Sequence, residues 1–303
     1  MAAPQDASRR AILYALLANF GIALAKSWAA WFTGSGSMLA EAIHSYADTG
    51  NQVLLFLGLV QSRRPADQEH PLGYGKLSYF WAFIVAIMLF SIGGLFSIYE
   101  GVHKLQSPEP LNQAWVGLVV LGLAILLEGS ALFGVLREIR GIRRGRGFRS
   151  WLRSTRNAEL LVVLGEDVAA LTGLLLAMGF LGWAAWSGEP HWDALGSIAI
   201  GMVLIVVSIF VAIRIRGLIV GKSADPLLRE LIDGMISADP VIEELLNTIT
   251  LQMGPRIMLA AKIRMRPGLS IEEAVTHINR LEARIKSELP QVGWCFIEPD
   301  VSD

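Results

Sequence analysis

The residues best suited to chemistry lie in one apolar stretch, from Gly34 to Leu59. It carries Glu41, His44, Asp48 and Asn51 among side chains apolar enough to cross a bilayer. Charged groups at membrane depth are costly and by default mark a functional site. His44 and Asp48 are four residues apart, so a helix places them on the same face. An imidazole and a carboxylate so placed suit a borderline divalent metal, whose further ligands must come from another helix.

A second stretch, LLVVLGEDVAALTGLLLA, supplies carboxylates of the kind that such a metal needs. Adjacent residues of a helix point about 100° apart, so one ion takes one of the two carboxylates directly. We predict Asp167 as a direct ligand, with Glu166 as a second ligand, a proton carrier or a hydrogen-bonding partner. Glu128 lies in another apolar stretch, and three roles are open to it: pairing with Lys26, lining a proton route, or facing a water-filled cavity.

The composition places these residues in an integral membrane protein. Of 303 residues, 53% are hydrophobic and 17% are charged, and the mean hydropathy is +0.48. Soluble domains carry about 25% charged residues. Six apolar segments reach the ~20 residues that a bilayer requires: 11–33, 38–60, 79–102, 114–136, 159–183 and 194–219. We therefore predict an all-α six-helix membrane bundle, with no cleavable signal peptide before it.

Basic residues fall on alternate connections between these segments, which predicts the orientation of the chain. The connections GSGS, HKLQSPEPLN and SGEPHW hold almost no Arg or Lys. By the positive-inside rule, both termini are cytoplasmic. The longest basic segment, 137–156, is interpreted as a topology signal that also meets anionic headgroups. It lacks the repeated aromatic residues of single-strand binders, so no nucleic-acid partner is predicted.

After about Lys222 the composition becomes that of a soluble domain. Asp225-Pro226 predicts a helix start, and Gly254-Pro255 predicts a hairpin between strands at 248–253 and 258–265. Ser270 and Glu273 form a capping box that opens a second helix to about residue 289, and a short strand follows at 294–297. We therefore predict a membrane domain over residues 1–222 and a small cytoplasmic α+β domain over residues 223–303.

An intramembrane hydrolase built on His44, Ser45 and Asp48 is the enzyme alternative. Ser45 is adjacent to His44 and therefore projects away from it, and the sequence holds neither HExxH nor GxSxG. We therefore predict that the protein is not an enzyme. The single cysteine, Cys295, excludes an internal disulfide and a cysteine-rich metal site.

The chain resembles the cation diffusion facilitator family of divalent-metal/proton antiporters over nearly its whole length. The motifs that carry the resemblance are TGSGSMLAEAIHSYAD in the second apolar segment, EHPLGYGK after it and WDALGSIAIG near the sixth. In having a Glu-Asp pair in its fifth segment, the chain resembles the branch of the family that includes the mitochondrial zinc transporter. The resemblance implies a C-terminal ferredoxin-like domain and a homodimer.

The family's transport site takes two residues from the second helix and two from the fifth, each pair spaced by four. Carried over, the resemblance implies His44 and Asp48, then position 163 and Asp167. Position 163 is Val163, so the usual fourth ligand is missing. Glu166, Asn51 or water must then substitute for it.

The family has two further metal positions, and this sequence offers candidate ligands at only one of them. In the loop after the second helix, Asp67, Glu69 and His70 offer a weak metal site or entry funnel, and a polar turn shaped by flanking prolines is the alternative. In the soluble domain, Lys262 and Glu298 stand where regulatory histidines are expected, so we predict no zinc cluster there.

These observations predict a secondary transporter that exports a divalent cation from the cytoplasm in exchange for protons, without a prosthetic group. Zinc is the preferred substrate because imidazole and carboxylates suit it, and Mn2+ and Fe2+ are the alternatives. A non-transporting membrane metal sensor or scaffold is the rival function. The predicted location is the cell (inner) membrane of a bacterium.

Overall fold

The structure is a computed structural model that describes residues 4–108, 110–111, 113–143 and 145–302 of the chain, with side chains from Asn19 onward. Helices make up its first three quarters and a small mixed region makes up the rest. The helices are α1 (Pro4–Thr33), α2 (Gly36–Ser62), α3 (Leu77–Met88), α4 (Phe96–Gln106), α5 (Ala114–Ile142), α6 (Phe148–Ser154), α7 (Ala158–Ser187) and α8 (His191–Val220).

Four stretches of the described chain are long and apolar enough to cross a membrane. They are Leu77–Gln106, Ala114–Ile142, Ala158–Ser187 and His191–Val220. The first of them joins α3 and α4 through a π-helical segment, Leu89–Leu95. The helix α2 interrupts its apolar residues with several polar ones, because it carries the candidate site residues.

Glycines bring the stretch Leu77–Gln106 close to α8. A Cβ at Gly101 would lie 2.7 Å from the carbonyl oxygen of Ala194, and one at Gly201 would lie 2.7 Å from that of Gly94. Such distances leave no room for a side chain, so these positions need glycine. Small residues are the usual means of close helix contact in membranes.

The C-terminal region has the element order helix, strand, strand, helix, strand, as the sequence predicts. The elements are α9 (Pro226–Ser237), β1 (Ile242–Met253), β2 (Arg256–Met265), α10 (Ile271–Glu288) and β3 (Val292–Pro299). The strands lie in the order β1-β2-β3, with β1 and β2 antiparallel and β2 and β3 parallel. Aliphatic side chains from both helices and all three strands form its core.

The predicted helix starts in this region are confirmed. Asp225 caps α9 by accepting a hydrogen bond from the backbone N–H of Leu227, and Pro226 occupies the first turn. Ser270 and Glu273 form both bonds of the capping box. The strands are longer than predicted: β1 begins at Ile242 rather than at 248, because its first residues pair with the end of β2.

The chain divides into two compact units. One comprises Met1–Gly58, Trp81–Gly145 and Glu159–Ile215, and the other comprises Leu59–Phe80, Arg146–Ala158 and Arg216–Asp303. Within the second unit, the Tyr79 hydroxyl donates to the Gly254 carbonyl at 3.1 Å, and Arg146 pairs with Asp225 at 2.8 Å. The segments Leu59–Phe80 and Arg146–Ala158 therefore contact the C-terminal region.

Candidate metal site

A cavity of about 90 Å³ between the helices of the first unit brings together three of the predicted ligands, Asp48, Glu166 and Asp167. Four carboxylates line it: Asp48 of α2, Glu128 of α5, and Glu166 and Asp167 of α7. The other lining residues are uncharged: Asn19, Ile22, Ser45, Gln52, Ala131, Val163 and Ala170. The cavity is therefore lined by acidic groups from three helices, without a lining Lys or Arg.

His44 and Asp48 lie together on α2, as their spacing predicts. The Nδ1 atom of His44 is 3.4 Å from Oδ1 of Asp48. His44 is fully buried beside the cavity-lining Asp48. Neither ring nitrogen of His44, nor Oδ1 of Asp48, has a hydrogen-bond partner among the described residues. Buried polar atoms are normally paired, so these atoms are available to a ligand.

Both acidic residues of α7 face the cavity, although they are adjacent in sequence. Glu166 is buried, and its Oε1 accepts a hydrogen bond of 2.6 Å from the Asn51 side-chain amide. The Oδ2 atom of Asp167 is buried without a hydrogen-bond partner in the described part of the chain. Asn51 thus orients Glu166, while Asp167 keeps a free oxygen.

Lys26 of α1 is a buried cation that bonds residues outside the proposed ligand set. Lys26 Nζ donates to Glu41 Oε2 at 3.2 Å and to Ser45 Oγ at 2.7 Å. Lys26 and Glu41 both have no exposed surface, so they form a buried ion pair. Of the three roles open to Glu128, pairing with Lys26 is not the one observed, and Glu128 lines the cavity instead.

Val163 occupies the position that the family resemblance gives to a fourth ligand. Its side chain lines the same cavity as Asp48 and Asp167, so the position faces the site but has no donor atom. In the part of the chain that is described, no group of three or more His, Cys, Asp and Glu side chains is arranged to hold a metal ion.

The loop after α2 uses its predicted ligands in a local turn. Asp67 accepts hydrogen bonds of 2.7 Å from the backbone N–H of His70 and from the Tyr74 hydroxyl. The Tyr74 bond is the main reason why the pKa of Asp67 lies below its usual value. The His70 ring packs on Tyr74 at 4.2 Å, and Glu69 is exposed. These contacts favour the polar-turn alternative over a weak metal site.

In the C-terminal sheet, one of the two positions predicted to lack zinc ligands, Lys262, forms an ion pair with Asp300. Lys262 and Glu298 are register partners on β2 and β3. Lys262 Nζ lies 2.9 Å from Asp300 Oδ2, and this hydrogen bond lowers the pKa of Asp300. Cys295 is buried in the domain core, and burial raises the pKa of its thiol to about 12.

Sequence reasoning gave no role to Asp193, which fixes the start of the helix that carries His44. Its buried carboxylate accepts hydrogen bonds from the Ser35 hydroxyl at 2.7 Å and the Gly36 backbone N–H at 2.6 Å. The Ser37 hydroxyl donates to it as well. A buried carboxylate at a helix N-terminus satisfies the free N–H groups there. The signal for it in the sequence is the acidic residue within the WDALGSIAIG motif, at the start of an apolar segment.

Comparison with known proteins defines the class of this membrane protein. Residues 12–215 match the family described as the cation efflux transmembrane domain. The chain therefore belongs to the cation diffusion facilitator family. This confirms the resemblance inferred from the sequence motifs.

Among its relatives is the mitochondrial proton-coupled zinc antiporter SLC30A9 of Xenopus laevis, 32% identical over 87% of this chain and 47% of that protein. The metal tolerance protein C4 of Arabidopsis thaliana is 32% identical over 82% of this chain and 55% of that protein. The cation-efflux pump FieF of Klebsiella pneumoniae strain 342 is 28% identical over 93% of this chain and 89% of that protein. The chain thus spans about half the length of the first two relatives.

Proposed function

We propose that this protein exports a divalent metal cation, Zn2+ in the first place, from the cytoplasm in exchange for protons. The relatives support this reading, because they are named as zinc antiporters, a metal tolerance protein and a cation-efflux pump. These names describe transporters rather than enzymes. Ser45 agrees with that, since its hydroxyl accepts a hydrogen bond from Lys26, away from any role as a nucleophile.

His44, Asp48 and Asp167 are the proposed direct ligands of the transported ion, and Glu166 assists them. The observation that carries the proposal is the convergence of Asp48 and Asp167 on one cavity, beside a fully buried His44 whose nitrogens lack partners in the described chain. A carboxylate-rich site without thiolates accepts Zn2+ and also harder ions. Mn2+ and Fe2+ are therefore the alternative substrates.

Proton exchange follows from the chemistry of the same ligands. Imidazole and carboxylate groups bind a metal only when they are deprotonated, so a proton that binds them displaces the metal. If the helices that carry the ligands alternate between inward and outward access, an inward proton gradient drives the metal outward. The coupling needs no residue outside the site.

The proposed architecture is a homodimer in which each chain has six membrane-spanning helices and a cytoplasmic ferredoxin-like domain. The helices α1, α2, α3 with α4, α5, α7 and α8 supply the six spans, and the basic loops place both termini in the cytoplasm. The bacterial pump that matches 93% of this chain supports the inner membrane of a bacterium as the location.

Zinc flux in reconstituted vesicles tests the function. In vesicles with the wild-type chain and an imposed proton gradient, Zn2+ should move in the direction opposite to the protons, and the internal pH should shift at the same time. The variant His44→Ala should lose at least nine-tenths of both fluxes, because one ligand is removed, while His103→Ala, an exposed histidine at the end of α4, should keep them. Equal fluxes in His44→Ala and wild type would contradict the site.

A further inference from the structure

We propose that Glu128 of α5 is a direct ligand of the transported ion and takes the place left open by Val163. This inference rests on the proposed function and names a third helix at the same site. Glu128 lines the cavity together with Asp48 and Asp167. A ligand from α5 would complete a set that α2 and α7 leave one donor short.

The charges around the cavity support this assignment. Glu128 lies within electrostatic range of Asp48 and of Asp167, so the carboxylates repel one another when ionised. The lining holds four carboxylates and no Lys or Arg. Charge of one sign in a low-dielectric site needs a counter-ion or protons. A divalent cation supplies positive charge at this site.

Two groups that could compete with this assignment already have partners. Lys26, the nearby buried cation, bonds Glu41 and Ser45 instead. Glu166, the other candidate for the missing position, has one oxygen occupied by the Asn51 amide. Asp48 Oδ1, Asp167 Oδ2 and both nitrogens of His44 are buried atoms without hydrogen-bond partners in the described chain, and a bound cation would satisfy them. The described side chains do not form a three-ligand group as they stand, so binding of the ion would draw them together.

The chemistry of the resulting set predicts the class of substrate. One imidazole nitrogen and carboxylate oxygens from three helices form a nitrogen-poor, oxygen-rich shell. Such a shell suits Zn2+ and accepts Mn2+ and Fe2+, whereas Cu+ prefers thiolate or thioether donors. Replacing Val163 by Asp would return a donor to α7, one turn from Asp167, and should make Glu128 dispensable.

The test is Zn2+ binding by the purified full-length protein in detergent, measured by equilibrium dialysis, for wild type and three variants. Glu128→Gln keeps the shape of the side chain and removes its charge, and it should weaken Zn2+ binding by tenfold or more, on the order seen when a metal site is disturbed. Glu138→Gln removes an exposed carboxylate from the same helix and should bind as wild type does. The double variant Glu128→Gln/Val163→Asp should recover most of the affinity.

The rescue separates loss of a ligand from loss of the fold, because a misfolded protein would not recover on adding a second change. Unchanged affinity in Glu128→Gln, with weakened binding in His44→Ala, would overturn the role of Glu128 and leave the proposed function intact. Failure of the Val163→Asp change to restore binding would also overturn it. Absence of Zn2+ binding and transport in the wild-type chain would instead reject the proposed function itself.

Discussion

Lys26 illustrates how the helical unit holds a buried charge that is not a metal ligand. Its ammonium group has no exposed surface and donates to Glu41 and Ser45. Removing one partner of a buried ion pair leaves the other charge without compensation, whereas replacing both partners is often tolerated. The pair therefore fixes α1 against α2 near the site. We expect the protein to lose stability when only one of the two residues is replaced.

The variant Lys26→Met should lower the free energy of unfolding by about 3–5 kcal/mol, since the Glu41 carboxylate then stays buried and unpaired. The double variant Lys26→Met/Glu41→Gln should regain most of that loss. Thermal unfolding of the purified protein in detergent, followed by circular dichroism, measures both. A single variant as stable as wild type would show that the ion pair has no structural role.

Contacts between individual residues were less predictable from the sequence than the elements or the family. The placement of His44 beside Asp48 follows from helical spacing alone, and the structure agrees with it. The partnerships of Asn51 with Glu166 and of Lys26 with Glu41 join different helices. They depend on how the helices pack and rotate, which no local spacing encodes.

Among the elements, α2 is the one whose placement matters most for the site. Its first turn is held by Asp193 of α8, which accepts hydrogen bonds from Ser35, Gly36 and Ser37. Ser35 in turn accepts a bond from the backbone N–H of Met38 at 3.1 Å, as helix-capping residues do. The position of His44 along α2 is therefore fixed from the start of the helix.

Substitution Asp193→Ala should destabilise the protein by about 2 kcal/mol or more, because four buried donors, two hydroxyls and two backbone N–H groups, lose their acceptor. It should also weaken Zn2+ binding, because α2 then shifts relative to α7. Thermal unfolding and equilibrium dialysis of the same sample measure the two effects, with Glu189→Gln, an exposed acid just before α8, as the control. Unchanged stability and unchanged binding would show that Asp193 does not position α2.

Element types were predictable because each has a local signal. The turn at Gly254, with a φ of 67°, and the capping box of α10 were visible as residue pairs. The extension of β1 back to Ile242 was not visible, because it arises from pairing with the end of β2 rather than from propensity.

For the whole molecule, the sequence pattern and the structure emphasise different divisions. Composition changes near Lys222, which predicts a boundary there, whereas contacts group Leu59–Phe80 and Arg146–Ala158 with the C-terminal sheet. Apolar helices separate these two segments from the C-terminal region in the sequence, so only the folded contacts reveal that grouping. Membrane insertion and family membership, in contrast, depend on long apolar stretches and extended motifs, which are properties of the sequence.

The central claim is that helices far apart in the chain converge on one metal ion. Zinc K-edge X-ray absorption of the full-length protein, loaded with one equivalent of Zn2+, tests it most directly. The account predicts nitrogen and oxygen neighbours at about 2.0–2.2 Å with the signature of a single imidazole, which disappears in His44→Ala. A sulfur neighbour, or an imidazole signature that persists in His44→Ala, would contradict it.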